Sequence, residues 1–286
     1  MRRPAAAVLA AALLVTACGG DGGEGEVSGP PATSGTTATT AAPTTTVPPP
    51  PGGRLPTSED PLRVLLAGDS LMADLALALS STLQDGGATR ARLVEAPSIP
   101  RDEVTRALWR QQLAEYDPEV IVIMIGVWEG MAEDALRTAE LGSPAWEQQY
   151  RQGTLGPYVE LLTSRGAEVV WIGMPPSPEP RRQLEWSSMN RVVRRLADQS
   201  PALTYVPGDE LLANPDGSWA EVLAGPRGTP QRVRRVDTTH LCADGVVRLV
   251  RPVLNHLRRQ WHVPTAEGWP TRNWRWVFPA EQCPPV

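Results

Sequence analysis

At 286 residues and 41% hydrophobic content, the chain is long enough for one enzyme-sized domain plus appendages. All 27 basic residues are arginine, which excludes lysine chemistry, whether a Schiff base or an ammonium general base. The net charge of -5 comes without a basic patch, so no nucleic-acid partner is expected.

Residues 1–17 place two arginines ahead of an apolar stretch that ends in small residues, the pattern of a secretion signal. That stretch is shorter than the roughly 20 apolar residues needed to span a bilayer. The following "VTAC" resembles the bacterial lipobox, which implies cleavage before Cys18 and lipidation of Cys18. The expected product is exported and anchored to the outer face of the cell membrane, touching lipid only through its acylated N-terminus. Residues 18–60 form a linker: Gly, Pro, Thr and Ser fill 28 of the 39 positions from 19 to 57. Its proline run at 48–51 favours extended polyproline II, so the tether could reach on the order of 100 Å.

From residue 61 the pattern becomes short apolar runs alternating with longer amphipathic segments. Strands are expected at 63–67, 92–96, 120–126, 168–173 and 203–207, and helices at 71–84, 101–115, 144–164, 181–199 and 243–260. Runs such as "VIVIMIG" and "VVWIG" are apolar on both faces, as parallel strands covered by helices must be. The expected fold is a three-layer α/β/α sandwich around a mostly parallel five-stranded sheet, filling residues 61–260. Ser143 before Pro144 marks a helix start and Gly166 a helix stop. Residues 208–236 carry repeated Gly and Pro and read as loop, with a short hairpin around Trp219.

In an open parallel sheet, ligands gather beyond the carboxyl ends of the strands. Ser70, in "GDS" after the first strand, stands there at the start of a helix, where free amides favour developing negative charge. Taken alone, Asp69 or Ser70 could merely cap that helix. Ahead of the last helix, Asp237 precedes His240 by three residues, a spacing that lets a carboxylate hold an imidazole in one tautomer. His256 and His262 have no partner at a metal-binding spacing, so neither a metal nor another cofactor is expected.

These two motifs, with the run "HLCADGVVRLVRPVL", resemble the SGNH hydrolase superfamily, also called GDSL esterases and acyltransferases, over residues 61–260. The resemblance implies a flavodoxin-like sheet, Ser70 as nucleophile, His240 as general base and acid, Asp237 as its orienting carboxylate, and Gly68 and Asp69 in support. The middle of the chain departs from the family. Its Gly-x-Asn-Asp block corresponds to "GVWE", with Gly126 matched, Trp128 at the asparagine position and Glu129 at the aspartate; its usual second-block glycine is absent from "EAPSIPR". Either the Trp128 indole or the Ser98 backbone amide replaces the missing oxyanion donors, or the enzyme is slow or inactive; the other reading of Trp128, and the favoured one, is a packing or substrate-facing residue. Asn190 is a lesser candidate, with a solvent- or loop-facing helix position as its other reading.

With Cys18 lipidated, Cys242 and Cys283 remain in a compartment where disulfides persist, and they are expected to pair rather than stay as separate buried thiols. Trp261, Trp269, Trp274 and Trp276 crowd residues 261–286, a tail expected to pack on the domain near the mouth of the site, with sugar stacking as the alternative. The resulting functional expectation is a serine esterase or O-acyltransferase working on ester-linked acyl groups, foremost O-acetyl groups of a cell-envelope glycan. As a transferase it would need a membrane partner delivering acyl groups. The competing expectation is a noncatalytic envelope- or carbohydrate-binding lipoprotein with a degenerate site.

Overall fold

The computed structural model describes residues 54–130 and 138–286; the signal 1–17, Cys18 and the linker up to residue 53 lie outside them. Five strands form one parallel sheet: β1 (Leu62–Gly68), β2 (Thr89–Glu95), β3 (Val120–Met124), β4 (Glu168–Ile172) and β5 (Leu203–Val206). Their order is β2-β1-β3-β4-β5, all neighbours parallel. Every residue of β3 is buried, whereas most of β2 is exposed or half-buried, as suits an edge strand.

Helix α1 (Ser70–Asp85) follows β1, and α2 (Glu103–Tyr116) follows β2. After β3 come α3 (Pro144–Tyr150) and α4 (Gly156–Thr163); α5 (Pro180–Ala197) follows β4, and α6 (Gly208–Leu211) follows β5. The last helix is α7 (Ala243–Trp261). Contacts join α1 to α7 and α2 to α4, giving two helical layers around the sheet, as right-handed crossovers require for this strand order.

The expected helix 144–164 is interrupted. A π-turn at Arg151–Leu155 separates α3 from α4, and the Gly156 amide donates to Arg151 O instead of continuing the α pattern. Pro157 supplies no amide to restore it. Residues 208–236 are more ordered than the loop expected there. They hold α6, an antiparallel bridge between Ala213 and Trp219, and a second hairpin of β6 (Val222–Ala224) and β7 (Pro230–Arg232). Strands of three residues carry no readable period. The ordered contacts also reach ahead of residue 61, because Arg54 binds the Glu119 carboxylate at 2.7 Å and Pro61 O at 3.1 Å.

Trp261, Trp269 and Trp274 are buried, while Trp276 is exposed. Cys242 and Cys283 are joined by a disulfide, with 5.7 Å between their Cα atoms. Trp261 and His256 both bind Glu168, through Nε1 at 2.8 Å and Nε2 at 2.6 Å. This gives His256 a distant carboxylate partner from β4 that no local spacing revealed. Burial pushes the Glu168 carboxyl up, but these hydrogen bonds outweigh it and leave it below its ordinary 4.5. A carboxyl lowered in the fold stabilises it above the unfolded value, and that stability is lost as pH falls through the folded value. The urea midpoint is therefore expected to fall more steeply below pH 4.5 in the wild type than in Glu168→Gln; parallel curves would contradict the coupling.

Candidate active site

The site lies where β1 and β3 end. Gly68 closes β1 at φ +151°, and a Cβ there would meet Met124 O at 1.8 Å, so only glycine lets the two strand ends press together. Asp69 then caps α1, its Oδ1 accepting from the Leu71 amide at 3.0 Å. Its Oδ2 accepts from the Gly126 and Val127 amides, each at 2.7 Å. Thus Asp69 does more than start a helix: it ties the turn after β3 to the beginning of α1. Burial raises its carboxyl above the ordinary value even against these three amide donors. Gly126 itself turns at φ +159° against Met174, and its carbonyl accepts the Trp186 indole N–H at 2.9 Å.

Ser70 stands as the first residue of α1, and His240 reaches it from the loop before α7. His240 Nε2 lies 2.8 Å from Ser70 Oγ, and His240 Nδ1 lies 2.8 Å from Asp237 Oδ2. Asp237 Oδ1 also accepts the amides of Thr239 and His240, both at 2.9 Å. Burial pushes Asp237 up, but the hydrogen bonds from His240 and Thr239 prevail and hold it below its ordinary range. An ionised carboxylate only accepts, so it keeps the proton on Nδ1 and leaves the Nε2 lone pair for the serine hydroxyl.

The loop carrying this pair is braced by residues that the sequence reading did not connect with it. Asp74, one helical turn beyond Ser70, accepts the Leu241 amide at 2.9 Å and pairs with Arg235. Arg235 also donates to Leu241 O at 3.0 Å and to Gln282 Oε1 at 3.0 Å. Arg234 is fully buried and donates to Thr239 O and Pro176 O, both at 2.9 Å. Burial lowers its guanidinium to about 10, so it stays charged at neutral pH. Trp219 Nε1 donates to Thr238 O at 3.2 Å, at a residue held in the left-handed region. Arg234 with Thr239 and Arg235 with Leu241 are near neighbours in sequence, whereas Asp74, Pro176, Trp219 and Gln282 reach this loop from distant parts of the chain.

Asn190 is not an oxyanion donor and does not face solvent. It is buried, with Oδ1 accepting from Met174 N at 2.8 Å and Nδ2 donating to Met174 O at 2.7 Å, so its amide is spent on the chain after β4. Ser98 lies in the loop after β2, beside the end of β1, where the Ala96 amide donates to Gly68 O at 2.7 Å. Among the described residues, no protein acceptor faces the amide of Ser70 or of Ser98. Trp128 projects from the turn after β3 with 49% of its surface exposed.

At this exposure Trp128 is a surface residue. Losing an oxyanion donor costs about 10²- to 10³-fold in kcat. Trp128→Phe, which removes the indole N–H and keeps an aromatic face, is expected to fall well short of that loss. Trp128→Ala is expected to act through KM. A collapse of kcat in the Phe variant would assign the indole to the oxyanion instead.

A family model described as "Protein of unknown function (DUF459)" matches residues 63–256. No curated protein matches the chain in sequence. Among solved structures, the chain is similar to a putative acylhydrolase from Bacteroides fragilis, at 16% identity and TM-score 0.46, covering 71% of this chain and 90% of that one. It is similar to TesA at 25% identity and TM-score 0.42, covering 68% and 97%. A catalytic mutant of an acetylxylan esterase from Geobacillus stearothermophilus matches at 15% identity and TM-score 0.40, covering 69% and 94%.

Proposed function

Taking as premise that the chain belongs to the DUF459 family, we propose that it is a serine esterase or O-acyltransferase of the SGNH type. The observation that carries this reading is the continuous relay from Asp237 through His240 to Ser70, with two 2.8 Å contacts, at the N-terminus of α1. Ser70 Oγ attacks the acyl carbonyl while His240 Nε2 takes its proton. The alcohol then leaves carrying that proton, and an acyl-serine remains. Water, or a sugar hydroxyl, gives its proton to His240 and attacks the acyl-serine, releasing acid or a new ester together with free Ser70. The negative oxygen of each tetrahedral intermediate is met by the Ser70 amide and the dipole of α1.

The substrate in this reading is an ester-linked acyl group, foremost O-acetyl, on a cell-envelope glycan. Support comes from the signal pattern ending at Cys18 and from the long Gly/Pro/Thr linker, which together suit an exported enzyme tethered to the membrane and reaching into the envelope. If transfer rather than hydrolysis dominates, a membrane partner supplies the acyl group. The test is incubation of the purified chain with p-nitrophenyl acetate and with a fluorophosphonate probe, alongside Ser70→Ala. Turnover and labelling of Ser70 are expected. Absence of both would sink the catalytic reading in favour of a noncatalytic envelope-binding protein.

A further inference from the structure

Glu129 is a carboxylate with 1% exposure at the carboxyl edge of the sheet, and the catalytic relay does not use it. Its Oε2 accepts the Ile99 amide at 3.0 Å. Its Oε1 pairs with Arg101 and accepts the Tyr150 hydroxyl at 3.4 Å. Both Ile99 and Arg101 belong to the loop that carries Ser98. Glu129 therefore reaches from the turn after β3 and fastens the loop after β2. The turn it starts from is itself pinned, since Glu129 N donates to Gly126 O at 3.4 Å and Asp69 holds the Gly126 and Val127 amides. Two buried carboxylates thus link three segments in series: Asp69 joins the start of α1 to the turn after β3, and Glu129 joins that turn to the Ser98 loop.

We propose that Glu129 is the positioning residue of an oxyanion site made from backbone alone, holding the Ser98 amide so that it converges with the Ser70 amide on the substrate carbonyl oxygen. This rests on the esterase reading above. It accounts for catalysis with Trp128 at a position where the resembling family carries an amide side chain. A donor fixed by its neighbour's hydrogen bond needs no reorganisation as charge develops, which is the condition for a large electrostatic contribution. The Ile99 bond restrains the peptide next to Ser98, and the Arg101 pair restrains the same loop two residues further on. Truncating Glu129 would let the Ser98 amide drift while leaving Ser70, His240 and Asp237 in place.

The experiment compares the full chain carrying Glu129→Ala, Glu129→Gln and Glu129→Asp with the wild type. It measures kcat and KM on p-nitrophenyl acetate, affinity for a boronic acid that mimics the tetrahedral intermediate, and the thermal midpoint. Glu129→Ala is expected to lose about 10²-fold in kcat, with KM nearly unchanged and a parallel loss of boronate affinity. Glu129→Gln keeps an acceptor for the Ile99 amide and is expected to recover most of the rate. Should the Ala variant fail to fold, Glu129→Asp decides: it keeps a charge near Arg101 but withdraws from Ile99, and a kcat loss at constant KM is expected. Wild-type kcat and boronate affinity in a folded Ala or Asp variant would overturn the assignment while leaving the esterase reading intact. A wild type that neither turns over esters nor labels at Ser70 would overturn both.

Discussion

Ser70→Ala is expected to lower kcat/KM for ester hydrolysis by at least about 10⁴-fold while leaving the thermal midpoint nearly unchanged. In the proposed mechanism the hydroxyl is the attacking group, and its side-chain partner is His240, so its removal takes away chemistry without opening the core. His240→Ala should cost a comparable factor, and the double variant should be no slower than either single one. Groups that act as one unit are lost together the first time any essential member is removed. Asp237→Asn is expected to keep the geometry but lose on the order of 10³- to 10⁴-fold, because an amide no longer enforces the proton on Nδ1. Steady-state kinetics of the four variants check this. Multiplicative losses in the double variant, or a Ser70→Ala protein retaining a tenth of the activity, would disprove the relay.

The parts of this site that could be read in advance share a physical feature: their partners lie close in sequence or are marked by period. The apolar runs behind β1, β3 and β4 announce strands because both faces are covered, so nothing interrupts the run. Asp237 and His240 meet within a single loop, and Asp69 caps the helix that follows it. Apart from Ser70 with His240, which the family resemblance supplied, and Cys242 with Cys283, which the cysteine count supplied, pairings across the fold were invisible. Glu129 meets Ile99 from 30 residues away, and Asp74 meets Arg235 across 161. Asn190 takes the loop-facing one of its two readings, but a polar residue on an amphipathic helix gives no hint that a strand-end backbone awaits both atoms of its amide. The interrupted helix at 151–155 shows a different limit. Its flanking periods are helical, and only the coincidence of Gly156 with Pro157 hints at the extra residue accommodated there.

The bracing of the catalytic loop carries the second large expectation. The Cys242–Cys283 bond closes a sequence separation of 41, and removing it through Cys242→Ala with Cys283→Ala is expected to cost about 4 kcal/mol in chain entropy of the unfolded state. The stabilising half of that bond lies two residues past His240. On the tail side, Gln282 O accepts the Val236 amide at 3.0 Å, and Gln282 Oε1 accepts from Arg235. Freeing Cys283 therefore loosens Gln282 and, through it, the approach to Asp237. Asp74 and Arg234 still hold the loop from the other side, so the relay should persist in a broader set of positions. The expected signature is a lower denaturation midpoint together with a reduced kcat at nearly constant KM, reproduced when the wild type is treated with a reductant. If stability drops while kcat is unmoved, the tail serves only to hold the fold, and Asp74 with Arg234 suffices to aim His240 at Ser70.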